Sequence, residues 1–297
     1  MDTTHTLVPT QNGDDVDPAT HVASEITIVD TTRSHSGLGV GDSAYEPALL
    51  DADEADRALH ALRPAPEFGG EIDYQQWHAM PRKPGSRKPL HRLRRLKIAM
   101  AKPDPSTGLV PHYRFPVNDQ RRHGVVTPMS PTVDFVRRRV EARLGVSFNH
   151  AVVLLYRGAD DCIGFHKDKL LDLDPAAPIV SVSLGAVRSY VWRDDMFEPK
   201  RQVELRLQHG SLLVLGPKTN AAMYHSVRKP TAEDLVRDSS LTTGARVSLT
   251  FRRVSTFVDA DGRLHGQGAA YPELNWPTEL RGAHRLDADL DAVLSSD

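Results

Sequence analysis

The feature that most restricts the fold of this chain is a change in hydrophobic period near Phe148. Before that point, two segments repeat apolar residues at helical spacing. After it, short runs alternate apolar and polar residues, with Gly, Pro and Asp between them, which is the pattern of half-buried strands joined by turns. The alternation predicts strands over residues 151–156, 179–184, 189–192, 203–207, 211–215 and 246–252. Asp51 is placed to cap a first helix that carries Ala55, Ala58, Leu59 and Leu62 on one face and ends at Pro64. Pro131 and Thr132 open a second, with Val133, Val136, Val140 and Leu144 at helical spacing and Gly145 as its terminator. Strands that follow the helices without alternating with them argue against a doubly wound parallel sheet. The expected class is α+β, mainly β: a double-sheet barrel or jelly roll with supporting helices.

A length of 297 residues suits one substantial core. One domain is expected over residues 46–257, between two tails. Residues 1–45 are rich in Asp, Thr, Ser and Gly without apolar periodicity and read as a flexible acidic tail; residues 258–297 read as a C-terminal tail. The chain is 39% hydrophobic and 26% charged, as in soluble globular proteins. No apolar run approaches the roughly 18 residues of a membrane span, and no secretory signal is evident. A monomer in the cytoplasm or nucleus, not bound to membrane, is the expectation. The single cysteine, Cys162, excludes an internal disulfide or a multi-thiolate site, so a metal here must be held by imidazole and carboxylate.

The net charge is only −2, but it is unevenly spread. Residues 1–56 hold twelve acidic residues and one basic residue, whereas residues 82–97 hold eight basic residues and no acid. A solvated loop and a phosphate-binding patch both explain such a run. Residues 81–123 as a whole are basic, contain proline and read as an inserted loop.

His166 and Asp168 are two residues apart, a spacing that turns both side chains to one face of an extended segment. His225 follows the apolar run ending at Leu215 and supplies a third candidate ligand. Two imidazoles and one carboxylate on one face of an octahedral ion leave three positions open, an arrangement suited to iron(II) oxygenase chemistry. His150 and His209 are weaker candidates. Residues 246–252 place Arg246, Ser248, Thr250 and Arg252 on one face and Val247, Leu249 and Phe251 on the other. Two arginines on an inward face need anions, either the protein's own carboxylates or those of a bound dicarboxylate.

These residues together resemble the AlkB family of iron(II)/2-oxoglutarate dioxygenases. The likeness is densest over residues 146–256. It runs through Phe148-Asn149, Tyr156, Ile163-Gly164, His166-Lys167-Asp168, Pro178-Ile179 and Ser181-Val182-Ser183, then Gly185-Ala186, Arg188, His209-Gly210-Ser211, Thr219-Asn220, Tyr224-His225-Ser226 and the strand from Arg246 to Arg252. A thinner likeness over Trp77-His78, Pro81-Arg82-Lys83, Tyr113 and Phe115 suggests a nucleotide-recognition lid over residues 68–123. The resemblance implies a double-stranded β-helix in which His166, Asp168 and His225 bind Fe(II). It further implies that Arg246 and Arg252, with Tyr156, bind 2-oxoglutarate, and that O2 is the second co-substrate. Two positions depart from the family pattern: Leu154 stands where many members carry Asn, and Leu170 where nucleobase-repair members carry an acid.

The expected function is therefore oxidative dealkylation of N-methylated bases in DNA or RNA. Tyr74, Trp77, Tyr113 and Phe115 are candidates for base stacking, and Arg82 and Lys83, with the basic run 82–97, for phosphate contact. The alternatives are hydroxylation of a small molecule, nucleotide or protein side chain, and nucleic-acid binding around a vestigial oxygenase site.

Overall fold

A computed structural model describes residues 25–64, 69–79, 91–115, 126–196, 200–231, 234 and 244–271. Strands and helices are numbered in chain order; β4 (His78–Ala79) and β5 (His91–Arg92) pair with each other apart from the two main sheets. The larger sheet runs β2 (His35–Leu38), β3 (Ser43–Glu46), β14 (Leu212–Leu215), β11 (Ile179–Gly185), β16 (Arg246–Arg252), β9 (His150–Tyr156), β6 (Leu96–Ala101) and β8 (Thr127–Pro128). The smaller runs β1 (Glu25–Ile28), β13 (Arg201–Leu207), β12 (Arg188–Asp194), β15 (Tyr224–Val227) and β10 (Ile163–His166). Inward side chains of the two sheets meet in one core, with Tyr156, Ile179 and Leu213 from the larger sheet against Trp192, Leu205 and Val227 from the smaller. This is the expected double-stranded β-helix.

The outer face of the larger sheet is covered by α1 (Ala52–Ala61) and α2 (Pro131–Leu144). Their apolar stripes, including Leu59 and Val136, bury Val153, Val182, Leu249 and Phe251 in a second core. Both helices have the expected ends. Asp51 accepts the Glu54 N–H at 2.8 Å while Glu54 reaches back to the Asp51 N–H at 3.3 Å, a reciprocal capping box. Gly145 closes α2 at φ 67°, a left-handed conformation that a side chain disfavours. No helix among the described residues is long and apolar enough to cross a membrane.

Three boundaries differ from the expectation. The acidic tail does not extend to residue 45: β1 pairs in parallel with β13, and β2 and β3 form a hairpin on β14. These strands have only four residues, and the partners that complete them lie far along the chain, so their periodicity is too short to read locally. The presumed lid contains a regular sheet strand. In β6, Ile98 and Met100 enter the core beneath the helices while the backbone pairs with β9, a role the basic residues around it conceal. The C-terminal tail does not begin at 258 either. Strands β17 (Thr256–Val258) and β18 (Leu264–Gly266) pair with each other, and β17 also pairs with β7 (Val110–Pro111). Arg114, fixed by the buried carboxylate of Asp172, donates to the carbonyls of Gly268 and Tyr271 and ties this segment down. Residues 82–90 of the basic run, including Arg82 and Lys83, lie outside the described residues.

Loss of the α1 cap gives a simple check of this architecture. Asp51→Ala is expected to lower the unfolding free energy by about 1 kcal/mol, read from urea denaturation.

Candidate metal centre

The centre is assembled by strand register. On the antiparallel pair β10 and β15, His166 stands directly opposite His225, so two residues far apart in sequence become cross-strand neighbours. Their rings lie 4.2 Å apart, and His225 stacks on Tyr190 at 5.6 Å. Asp168 follows the end of β10 by two residues. One ligand atom from each of His166, Asp168 and His225 lies within 4.8 Å of the others, close enough to converge on one ion. The Nδ1 of His166 faces the Gly164 carbonyl at 2.9 Å, and since that oxygen only accepts, Nδ1 is the donor there and Nε2 is the ring nitrogen left to face a metal. Burial, aided by His166, pushes the His225 pKa down to about 3, so the His225 imidazole is neutral near pH 7.

Asp168 is held in two ways. Its backbone N–H donates to the Asn220 side-chain oxygen at 2.9 Å, and its carbonyl accepts from the Asn220 amide nitrogen at 3.0 Å. Asn220 is 1% exposed and sits on α3 (Pro217–Ala222). The β2–β3 turn secures that helix: the Asp42 carboxylate accepts from the Lys218 and Thr219 N–H groups at 2.7 and 3.1 Å. The Asp168 carboxylate meets Arg252, whose Nη2 lies 3.0 and 3.1 Å from its two oxygens. Burial works against the Asp168 charge, but Arg252, with His225 and His166, outweighs it and holds the carboxyl below its ordinary value. Asp168 in turn holds Arg252 above its ordinary value in spite of burial. The Asn220 clamp was not foreseen. Thr219-Asn220 figured in the family likeness, but nothing local in the sequence shows what Asn220 would face.

A cavity of about 200 Å³ opens on these residues. Arg246, Ser248, Thr250 and Arg252 of β16 line it, as the alternation predicts, together with Tyr156. Arg246 is 1% exposed and Arg252 6%. Arg246 donates to the Ser183 and Ser248 hydroxyls at 2.8 and 3.2 Å, yet its Nε and Nη1 have no acceptor, nor do Nε and Nη1 of Arg252. Buried guanidinium donors without partners are costly. A ligand with two carboxylates would satisfy both, so the residues present fit a dicarboxylate co-substrate beside the metal. Leu154, at the departure from the family pattern, presents an apolar surface to the same cavity.

The expected aromatic residues divide. Tyr113 and Phe115 line the cavity and pack edge to face at 4.8 Å. Tyr74 belongs to the helix-covered core and donates its hydroxyl to the Leu62 carbonyl at 2.9 Å, so it is not free to stack on a base. Trp77 is 1% exposed, with Phe115 against its edge at 5.0 Å and the Lys97 ammonium 3.6 Å from its ring centre. It supports the cavity wall from behind. His150 is not among the candidate metal ligands; it is fully buried, its ring nitrogens have no partner, and it packs near Tyr113 and Phe115.

Comparison with known proteins follows the same lines. The family profile described as the 2OG-Fe(II) oxygenase superfamily matches residues 44–252, more than half of the chain. The chain belongs to this superfamily. The profile's own description pairs Fe(II) with 2-oxoglutarate, and the curated relatives that the chain resembles are AlkB homologues. It is 39% identical over 133 residues to DNA oxidative demethylase ALKBH2 of Mus musculus, covering 43% of this chain and 52% of the relative. The human protein of that name is 37% identical over 133 residues, with 43% and 48% covered. Human alpha-ketoglutarate-dependent dioxygenase alkB homolog 3 is 30% identical over 131 residues, with 42% and 43% covered. The chain thus spans about half the length of these curated relatives. A solved structure, that of OsALKBH1, aligns at a TM-score of 0.46 and 19% identity, covering 71% of this chain and 96% of that one.

Two outcomes test the site. Asn220→Leu keeps the bulk but removes both hydrogen bonds to Asp168, and should weaken Co(II) binding by about tenfold or more in calorimetric titration, with Asn220→Gln less affected. Burial, with Arg252 and His112 adding, pushes the His150 pKa down to about 3, against roughly 6.5 in an unfolded chain. The native state therefore refuses a proton that the unfolded state takes up. The stability from this position is complete above about pH 6.5 and is lost as pH falls towards 3. His150→Leu should flatten the fall in stability between pH 7 and 5.5 in urea denaturation.

Proposed function

We propose that the chain oxidatively dealkylates N-methylated bases in nucleic acid, with His166, Asp168 and His225 holding Fe(II) and with Arg246, Arg252 and Tyr156 holding 2-oxoglutarate. The observation that carries this reading is the coincidence, in one cavity, of a two-histidine, one-carboxylate cluster with two buried arginines whose Nε and Nη1 lack acceptors. Relatives named DNA oxidative demethylase support the substrate class.

Iron bound with 2-oxoglutarate and O2 supplies the oxidation of a substrate C–H bond, coupled to decarboxylation of the co-substrate. The overall reaction converts N–CH3, 2-oxoglutarate and O2 to N–H, formaldehyde, succinate and CO2. The chain's contribution is placement and exclusion of water. Arg246, braced by Ser183 and Ser248, grips one carboxylate, and Tyr156 beneath its guanidinium lends a hydroxyl. Arg252, whose Nη2 meets Asp168, would hold the other carboxylate through its Nε and Nη1 and so align co-substrate and metal ligand by one side chain. Tyr113 and Phe115 close the cavity beside the base. A base within a duplex must be flipped out or presented in a single strand to reach it.

Mass spectrometry of methylated oligonucleotides incubated with Fe(II), 2-oxoglutarate and O2 tests the reading. Loss of one methyl group, formation of formaldehyde and abolition of both by His225→Ala are expected; turnover of free nucleosides alone would sink it. Arg246→Lys replaces a forked donor with a point charge and should raise the 2-oxoglutarate concentration for half-saturation by about 10- to 100-fold, since a charge-assisted hydrogen bond contributes about 1.5–3 kcal/mol.

A further inference from the structure

Three segments of the chain meet at one edge of the cavity. Ile163 of β10 and Val227 of β15 stand opposite each other in register and both line it, as do Leu93 and Arg95 ahead of β6. Next to these residues along the chain come Asp160, Lys229 and Arg94. The Lys229 ammonium lies 3.1 Å and the Arg94 guanidinium 3.4 Å from the same carboxylate oxygen, Oδ1 of Asp160. Two cations from distant parts of the chain therefore converge on one anionic oxygen at the rim. All three side chains are open to solvent, Arg94 being 57%, Lys229 53% and Asp160 78% exposed.

The loop that carries Asp160 is fixed from beneath. The buried carboxylate of Asp161 accepts from the Arg157 N–H at 2.8 Å and from its guanidinium at 3.1 Å. Arg188, 0% exposed, donates to the carbonyls of Gly158 and Asp161 at 2.8 and 3.3 Å. Arg95 donates to the Cys162 carbonyl at 3.0 Å and ties the loop to the segment leading into β6. Of the two neighbouring acids, Asp161 thus holds the backbone while Asp160 is turned outward. Rotation of the Asp160 side chain, with no change in the loop, is enough to release both cations. Exposed ion pairs contribute little to stability, so exchanging this carboxylate for another anion costs little.

We infer that Arg94 and Lys229 form a phosphate subsite at the cavity rim, which Asp160 fills until a phosphodiester of the substrate strand displaces it. A base turned into the cavity leaves its sugar–phosphate backbone outside, at the rim. There a phosphate oxygen can take the two charged donors that the Asp160 carboxylate engages in the free protein. The inference rests on nucleic acid being the substrate. It goes beyond that reading by adding Lys229, which lies outside the basic run 82–97, and an acid of the chain that competes with the strand.

Binding of a fluorescent single-stranded oligonucleotide, followed by anisotropy over a range of salt concentrations, is the test. Asp160→Asn keeps the shape but removes the competing charge, and should tighten binding at low salt by about threefold or more. Arg94→Gln and Lys229→Gln should each weaken binding and reduce the slope of log K against log salt by about 0.7. In a protein carrying both of those substitutions, Asp160→Asn should bring no gain, which separates local displacement from a general change in charge. A gain in affinity cannot arise from misfolding, so the Asp160 variant is decisive by itself. Unchanged or weaker binding by Asp160→Asn, or an equal gain when both cations are absent, overturns the inference. Because binding is read and not turnover, the two readings fail separately. Demethylation by a protein indifferent to Asp160→Asn leaves dealkylation standing, whereas the expected binding without loss of a methyl group defeats dealkylation alone.

Discussion

The strict alternation of β16 is the constraint on which the rest of the molecule depends. Val247, Leu249 and Phe251 pack beneath the helices, and Arg246, Ser248, Thr250 and Arg252 face the cavity. A shift of one residue in register would exchange these faces, putting guanidinium groups into a hydrocarbon core and apolar side chains into the binding site. β16 is bonded on one side to β11 and on the other to β9 over its full length, so the apolar packing that stabilises the domain also fixes the arginines. Core and site are two faces of one strand.

The candidate metal centre depends on long-range support in a different way. Its two histidines inherit their spacing from the pairing of β10 with β15. Asp168 lies past the end of its strand and is steadied by Asn220, by Arg252 and, through α3, by Asp42 of the N-terminal hairpin. Two regions that looked peripheral are therefore structural. The hairpin reaches the centre from one side, and the segment ending at Tyr271 is clipped by Arg114 to Asp172, four residues after Asp168. Buried ion pairs of this kind add little net stability because desolvation offsets their attraction, but losing one partner leaves a buried charge, so they fix geometry firmly.

Much of the fold was legible because local signals agreed with the global arrangement. The capping box at Asp51, the Pro131 start and Gly145 stop of α2, and the six runs of alternating residues each act within a few residues of chain, and each recurs in the structure to within two or three positions. The four-residue strands of the N-terminal hairpin, and β6 among its basic neighbours, were not legible, because a short strand is stabilised by its partner more than by its own pattern. Tyr74 and Trp77 show the same limit. An aromatic residue between basic ones has the same appearance in sequence whether it faces a ligand or, as Tyr74 does, closes a core.

The sequence by itself determined the two periodicities, the helix ends and the chemical identity of the site: two imidazoles, one carboxylate and a pair of inward arginines. Those follow from residue type and spacing, which act locally. Tertiary structure alone decided that His166 lies opposite His225, that Asn220 holds Asp168, and that Asp172 and Asp174 are committed to Arg114 and Arg253 and not to the cavity. The charge a pocket presents depends on which ionic groups neutralise one another across distant parts of the chain, and that pairing exists only once the chain has folded.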